Sequence, residues 1–355
     1  MHTLRVLPVA AKEMNRETKV RQIVGDQGFD PVGFAAAESI PEARRDYEEW
    51  LKRGYHGGMS YLERHVETKF DPARLLTGAR SIIMVALNYF QNDESRNGGE
   101  PESTPDQRRP GDKSVAAQSG RVSLYAWGKD YHKVIGRRLK TAVAELSAAF
   151  PEEGFRTFVD TSPIAERQYA ERSGIGFIGR NTLLITRRYG SWVFLGGILT
   201  TLDLTPSQPA ADVSGMRCPS GCTRCIDTCP TDALHEPHKI DASKCISYLT
   251  IERRGASPTP ADRASEDKSG KWVFGCDVCQ QVCPFNLKAE VTEEHDFRNW
   301  IAGPSLDYTE LENAIASREA FVDRFAGSPV MRAGIAGMSR SVQVVLQNDQ
   351  RSKSS

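Results

Sequence analysis

All eight cysteines of this 355-residue chain lie between Cys218 and Cys283, and no other feature constrains its architecture as strongly. The first run reads Cys218-Pro-Ser-Gly-Cys222-Thr-Arg-Cys225-Ile-Asp-Thr-Cys229-Pro230. After a lone Cys245, the second reads Cys276-Asp-Val-Cys279-Gln-Gln-Val-Cys283-Pro284. Both finish as C-x2-C-x3-C-P, the ending of the bacterial two-cluster ferredoxin pattern, in which the fourth cysteine of each run ligates the other cluster. The spacing predicts two [4Fe-4S] clusters, one on Cys218, Cys222, Cys225 and Cys283 and the other on Cys229, Cys245, Cys276 and Cys279. Two departures stand out. Three residues separate Cys218 from Cys222 where the pattern has two, and a long insertion parts Cys245 from Cys276. A pair of four-cysteine zinc sites is the competing reading, because C-x2-C pairs also suit zinc. A proline directly after the last cysteine of both runs favours clusters.

Such clustering in a reducing compartment argues for metal ligation and against disulfides. The N-terminal apolar stretch from Leu4 to Ala11 is short and broken by Arg5 and Pro8, so no signal peptide is expected. No apolar run elsewhere approaches the roughly 18 residues of a membrane span. The sequence predicts a cytoplasmic protein with no membrane partner, acting as a monomer. Lys plus Arg equals Asp plus Glu at 46 each, so no global field draws the chain to nucleic acid, and any basic patch is local. Candidates are Arg187-Arg188, Arg253-Arg254 and the helix face around Lys133 and Arg137, each either a phosphate contact or a solvated face.

Residues 31–66 carry helical patterns with Gly-rich breaks, and Ser81 to Leu87 reads as a buried strand of an α/β core. Residues 91–120 hold no aromatic and are dense in Pro, Gly, Ser and charge, the composition of a mobile insertion. Apolar positions at helical spacing from Val134 to Phe150 predict an amphipathic helix. A strand over 156–160 leads into Thr161, Ser162 and Pro163, which read as the start of a helix reaching to about Ser173. Strand-like runs over 182–186 and 192–200 precede a Pro-containing linker near 204–215. The expected domains are 1–205, carrying the 91–120 insertion, 206–295 with the cysteines, and a helical segment over 296–355. Clusters move single electrons and do little chemistry alone, so the N-terminal region should hold what they reduce.

Tyr125-Ala-Trp-Gly-Lys-Asp-Tyr-His132, Val159-Asp-Thr-Ser-Pro-Ile164, Ser173-Gly-Ile-Gly-Phe-Ile-Gly-Arg-Asn181, Cys229-Pro-Thr-Asp-Ala and Lys244-Cys-Ile-Ser-Tyr-Leu-Thr-Ile-Glu252 together resemble the epoxyqueuosine reductases. The resemblance runs from about Asp30 to Pro284, with a weaker echo at Phe325-Ala-Gly-Ser-Pro. It implies an α+β protein, a flavin-reductase-like α/β cobalamin-binding core fused to a two-cluster ferredoxin-like domain. It also implies reduction of epoxyqueuosine to queuosine at the wobble position of tRNA, the last step of queuosine biosynthesis. The partners implied are tRNA carrying epoxyqueuosine and an external low-potential electron donor.

Asp160 at a strand-to-helix corner reads as a helix cap or as an acid, useful if burial raises its pKa. The family's proton donor matches Asp160 within Val-Asp-Thr-Ser-Pro. Asp130 reads as an N-cap and His132 as an ordinary residue, while the resemblance places both on the substrate side of the pocket with no histidine on cobalt. Gly174-x-Gly176-x-x-Gly179 follows a helix, so it lacks the context of a dinucleotide fingerprint. Its glycines suit approach to a corrin ring, with Asn181 as a hydrogen-bonding partner, or a plain tight turn. By family position Lys69, Ser247 and Asp277 are further cofactor contacts, beside Asp160 and Asn181. Two rival functions share parts of this plan. A reductive dehalogenase has cobalamin and clusters, usually with a twin-arginine signal that is not seen here. An iron-sulfur electron-transfer subunit would leave the Asp160 and Asp130/His132 motifs without a role.

Overall fold

A computed structural model describes residues 15–92, 118–208, 214–255 and 258–354. The N-terminal part runs α1 (Arg16–Gly25), β1 (Val32–Ala36), α2 (Pro41–Lys52), a single turn α3 (Val66–Lys69), β2 (Ser81–Asn88), β3 (Ser119–Val122), α4 (Tyr131–Ala149), β4 (Phe155–Phe158) and α5 (Glu166–Arg172). The two-residue strands β5 (Phe177–Ile178) and β6 (Leu184–Ile185) and the long β7 (Val193–Thr200) complete it. The main sheet has the order β1-β2-β7-β4, antiparallel at every pairing.

β2 explains why this region reads as an unbroken apolar run. Successive side chains of a strand point to opposite faces, and here both faces are covered. Ile83, Val85 and Leu87 pack with Val20 and Val24 of α1 and Ile135 and Leu139 of α4. Ile82, Met84 and Ala86 pack with Tyr169 and Ala170 of α5 and with Leu184. A strand buried on two sides needs no polar alternation. In β7 a Cβ on Gly197 would lie 2.5 Å from both the Ile83 carbonyl oxygen and the Phe158 ring, so glycine there lets the neighbouring strands close.

The cysteine region contributes α6 (Arg224–Asp227), β8 (Leu234–Glu236), β9 (Lys239–Ile240), α7 (Pro260–Glu266), β10 (Trp272–Phe274) and α8 (Val278–Gln281). The chain ends with α9 (His295–Arg298), β11 (Ser305–Asp307), α10 (Tyr308–Ile315), α11 (Arg318–Phe325) and α12 (Gly334–Ser354). The three segments expected as separate units share a sheet of order β10-β3-β11. β3 runs parallel to β10 and antiparallel to β11. A Cβ on Gly120 of β3 would sit 2.3 Å from Cγ1 of Val273 in β10, which shows how closely the pair is packed. Leu306, Leu311, Phe325 and Val345 belong to the same core as Ile135 and Val273.

Several expectations change. Residues 32–36 form β1 and not part of a helix, because Phe34 and Ala35 are needed at the sheet edge. The C-terminal segment supplies a strand as well as helices. The helix expected from Thr161 starts only at Glu166, with no side-chain cap on its first turn. The ends of the expected 91–120 insertion are built in: the Gln91 side chain is buried, accepting from Trp300 Nε1 and donating to the Phe297 carbonyl, and Ser119 opens β3. Its remainder, 93–117, lies outside the described residues. Among the described residues no helix is long and apolar enough to cross a membrane.

Candidate functional site

Two structural facts place the first group of residues. Asp130 caps α4, its carboxylate accepting the His132 N–H at 3.0 Å. Tyr131, the next residue, lies flat on Phe194 of β7 with centroids 4.2 Å apart and also stacks on the His132 ring at 4.1 Å. The imidazole is thereby fixed. Its Nδ1 meets Asp130 Oδ1 at 2.8 Å and its Nε2 meets Asp160 Oδ2 at 3.0 Å. Asp130, His132 and Asp160 form one continuous chain across the mouth of α4.

Asp160 follows β4 in a tight loop with a left-handed backbone, φ 45°, a conformation that costs a non-glycine residue of order 1 kcal/mol or more. It caps no helix. Its backbone N–H donates to Glu166 Oε1 at 2.6 Å, and the base of the loop is tied where the Ala165 N–H donates to the Lys69 carbonyl at 2.9 Å. The side chain of Asp160 is 58% exposed, open to an incoming molecule.

The hydrogen-bonded chain sets the charge state of Asp160 against its burial. Burial of its surroundings pushes Asp160 up, but the His132 hydrogen bond and charge, with help from Tyr131 and Lys69, hold it below the ordinary carboxylate value. Burial likewise pulls His132 down, and its bonds to Asp130 and Asp160 more than reverse that, raising it to about 9. At neutral pH the proton sits on His132. Glu166 goes the other way: burial first, then the Asp160 charge, push it up to about 8. Lys69 is lowered by burial and by Arg167, against the pull of Glu166 and Asp160, and its ammonium lies 5.5 Å from the centroid of the Tyr47 ring.

The cysteines gather in two sets. Cys218, Cys222, Cys225 and Cys283 line one open cavity, together with Arg180, Asn181 and Phe285. The Arg180 N–H donates to Cys218 Sγ at 3.4 Å, and its guanidinium donates to the Cys222 carbonyl at 2.6 Å. Burial, then the neighbouring Cys218 and Cys225, push Cys283 up to about 11. In the other set burial and the charges of their neighbours Cys229 and Cys245 push Cys276 and Cys279 well up. Thiols this buried bind as thiolates only when a cation offsets their charge. Among the described residues no three His, Cys, Asp or Glu side chains come close enough to hold a single ion.

The other candidates are distributed as follows. Asn181 is 4% exposed in the wall of the first cysteine cavity, its Oδ1 accepting the Leu183 N–H at 3.3 Å and its Nδ2 left without a partner. That orphaned donor is the kind a bound group would satisfy. Ser247 hydrogen-bonds through both backbone and side chain to Cys245. Asp277 is 3% exposed, accepting from Ser123 Oγ at 2.5 Å and from the Leu124 N–H at 2.8 Å. It ties the cysteine region to the segment before α4. Four of the basic residues considered for phosphate are internally engaged, Arg137 through Asp296. Arg188 pairs with Asp30 and Glu290, Arg253 with Glu266, and Arg254 donates to the Arg332 and Ala333 carbonyls. The sequence reading missed Glu166 and Arg180. The second stands inside the Gly-Arg-Asn run that had been singled out for its glycines, and the first carried no motif at all.

Residues 69–161 match the family model described as "Epoxyqueuosine reductase QueG, DUF1730", and residues 217–286 match a "4Fe-4S double cluster binding domain". An epoxyqueuosine reductase of Leadbetterella byssophila is 35% identical over 92% of this chain and 97% of that protein. A crystal structure of epoxyqueuosine reductase with an epoxyqueuosine-modified tRNA-Tyr stem loop is similar at TM-score 0.79 and 27% identity, over 94% of this chain and 81% of that one. The Bacillus subtilis enzyme, in a structure described as having its catalytic aspartate loop swung out of the active site, is similar at TM-score 0.78 and 26% identity, over 95% and 82% of the two chains.

Proposed function

This chain belongs to the epoxyqueuosine reductase family, and from that premise we propose that it reduces epoxyqueuosine to queuosine at the wobble position of tRNA, using cobalamin and two [4Fe-4S] clusters. The observation that carries the reading is the Asp130-His132-Asp160 hydrogen-bonded chain, open to solvent in a protein whose Cys218, Cys222, Cys225 and Cys283 line one cavity while Cys229, Cys245, Cys276 and Cys279 are neighbours elsewhere.

Removing an epoxide oxygen as water takes two electrons and two protons. A bound cobalamin would supply the low-potential cobalt chemistry at the carbon centre, fed one electron at a time through the clusters. We assign cluster ligation to Cys218, Cys222, Cys225 and Cys283, and to Cys229, Cys245, Cys276 and Cys279. Lys69 and Asn181 are assigned to hold the corrin, on the strength of the orphaned Asn181 amide and the half-buried Lys69 ammonium. Ser247 and Asp277 are already committed to Cys245 and to Ser123 and Leu124, so their part is to shape the cluster side of that pocket.

The chain's own residues manage the protons. His132 stores one at Nε2, bonded to Asp160 Oδ2. As the substrate oxygen gains negative charge, the proton held at His132 Nε2 passes to Asp160 Oδ2 and from Asp160 to that oxygen, solvent supplies the second proton, and Asp130 keeps the imidazole oriented through Nδ1, the division of labour of an aspartate behind a catalytic histidine. Asp130 and His132 thus reach the substrate side through Asp160. The electron donor is an external low-potential protein or reductant, and the enzyme works as a cytoplasmic monomer.

The test is anaerobic. Protein reconstituted with iron and sulfide, then given cobalamin, a chemical reductant and an epoxyqueuosine-containing stem-loop RNA, should yield queuosine by nucleoside mass spectrometry. Omitting either cofactor should abolish it. Unchanged epoxyqueuosine in the complete mixture would overturn the reading.

A further inference from the structure

Asp160 must be held in place as well as charged, and of the bonds in its loop the one from its own backbone N–H reaches the first residue of α5. Its left-handed backbone is disfavoured for any residue with a Cβ, and no helix cap stabilises it. The bond from the Asp160 N–H to Glu166 Oε1, 2.6 Å long, closes a ring from the end of β4 to the first residue of α5. α5 itself is anchored: Tyr169 is fully buried against β2, and its hydroxyl donates to the Glu38 carbonyl at 2.8 Å. Glu166 therefore transmits the position of a rigid helix to a strained loop.

We propose that Glu166 is a positioning residue for the reaction, a latch that holds the Asp160 loop in its reactive geometry through the Asp160 backbone amide. The inference rests on the reading of Asp160 as the proton-delivering group. A neutral acceptor is sufficient for the latch, since burial keeps the Glu166 carboxyl protonated at neutral pH, up to about 8, and the carbonyl oxygen of a carboxylic acid accepts an amide N–H as a carboxylate does. Glutamine reproduces that group, whereas leucine fills the space and removes the acceptor.

Three proteins decide it: wild type, Glu166→Gln and Glu166→Leu, each reconstituted with clusters and cobalamin. With the stem-loop RNA, the Leu variant should lose about 10²-fold in kcat with KM unchanged, and the Gln variant should stay within about threefold of wild type, since misplacing a reacting group by about 1 Å costs on that scale. Hydrogen-deuterium exchange of the peptide spanning 158–165 provides a readout independent of turnover. Exchange should speed up in Leu and remain slow in Gln, with melting temperature and cluster absorbance alike in all three. Slow exchange and full kcat in Leu would overturn the latch. So would a Gln variant as impaired as Leu, because then the carboxyl proton and not the acceptor matters. If wild type itself made no queuosine, the proposed function would fail while the exchange data still judged the latch.

Discussion

At the scale of single residues, Val-Asp-Thr-Ser-Pro marked Asp160 as a candidate, but its charge state was not legible there, because that is set by His132, 28 positions earlier in the chain. The same pairing makes a pH prediction. Folding raises His132 from 6.5 to about 9, so the native state binds this proton more tightly than the unfolded chain does. The resulting stabilisation is full below about 6.5 and is lost as the pH rises through about 9. Melting temperatures taken from pH 6 to 10 should therefore fall more steeply for wild type than for His132→Gln on the alkaline side. Parallel curves would mean that the Asp130-His132-Asp160 chain does not hold the proton. Asn181 offers a second residue-scale check: Asn181→Leu removes the orphaned buried amide N–H together with the long bond from the Leu183 N–H, so the stability of the cofactor-free protein should change little, while its affinity for added cobalamin, read by absorbance titration, should drop about tenfold, one lost hydrogen bond. Undiminished binding would remove Asn181 from the corrin site.

Among the elements, periodicity found α4 and β2 because their burial is set by their own side chains. It missed β1, whose five residues (Val32–Ala36) are too few to show a period, and it started α5 five residues early because Thr161, Ser162 and Pro163 mimic a helix start. In the structure those residues serve the Asp160 loop instead, a local signal overruled by the site. The cysteine runs were the most legible elements of all, since ligand spacing is chemistry written directly in sequence. Their crossing makes a sharp prediction. Wild type should hold about eight irons and eight acid-labile sulfides per chain. Cys283→Ala should leave about four of each, on the Cys229, Cys245, Cys276 and Cys279 set, because Cys283 lies with Cys218, Cys222 and Cys225 around the other cavity. Loss of the second set alone would show the pairing to be wrong.

For the molecule as a whole, the linker near 204–215 marks the expected domain boundary, and side-chain contacts across it leave no trace in composition. The shared sheet β10-β3-β11, the Gly120 to Val273 contact and the Asp277 bonds to Ser123 and Leu124 join the regions into one core. Near-ultraviolet circular dichroism and cluster absorbance should accordingly vanish in a single thermal transition. Cluster bleaching well below an intact tertiary signal would contradict that unity. The central claim, that this protein carries out epoxyqueuosine reduction with Asp160 delivering the proton, is tested most directly by queuosine formation in a stem-loop RNA by wild type and Asp160→Asn, each loaded with both cofactors. Asparagine keeps the size of the side chain and an acceptor for His132 but has no proton to deliver. The account predicts unchanged cofactor absorbance and a melting temperature lowered only by the weakened His132 pairing, with activity lower by about 10²–10⁴-fold. An Asn variant that turns over like wild type would contradict it.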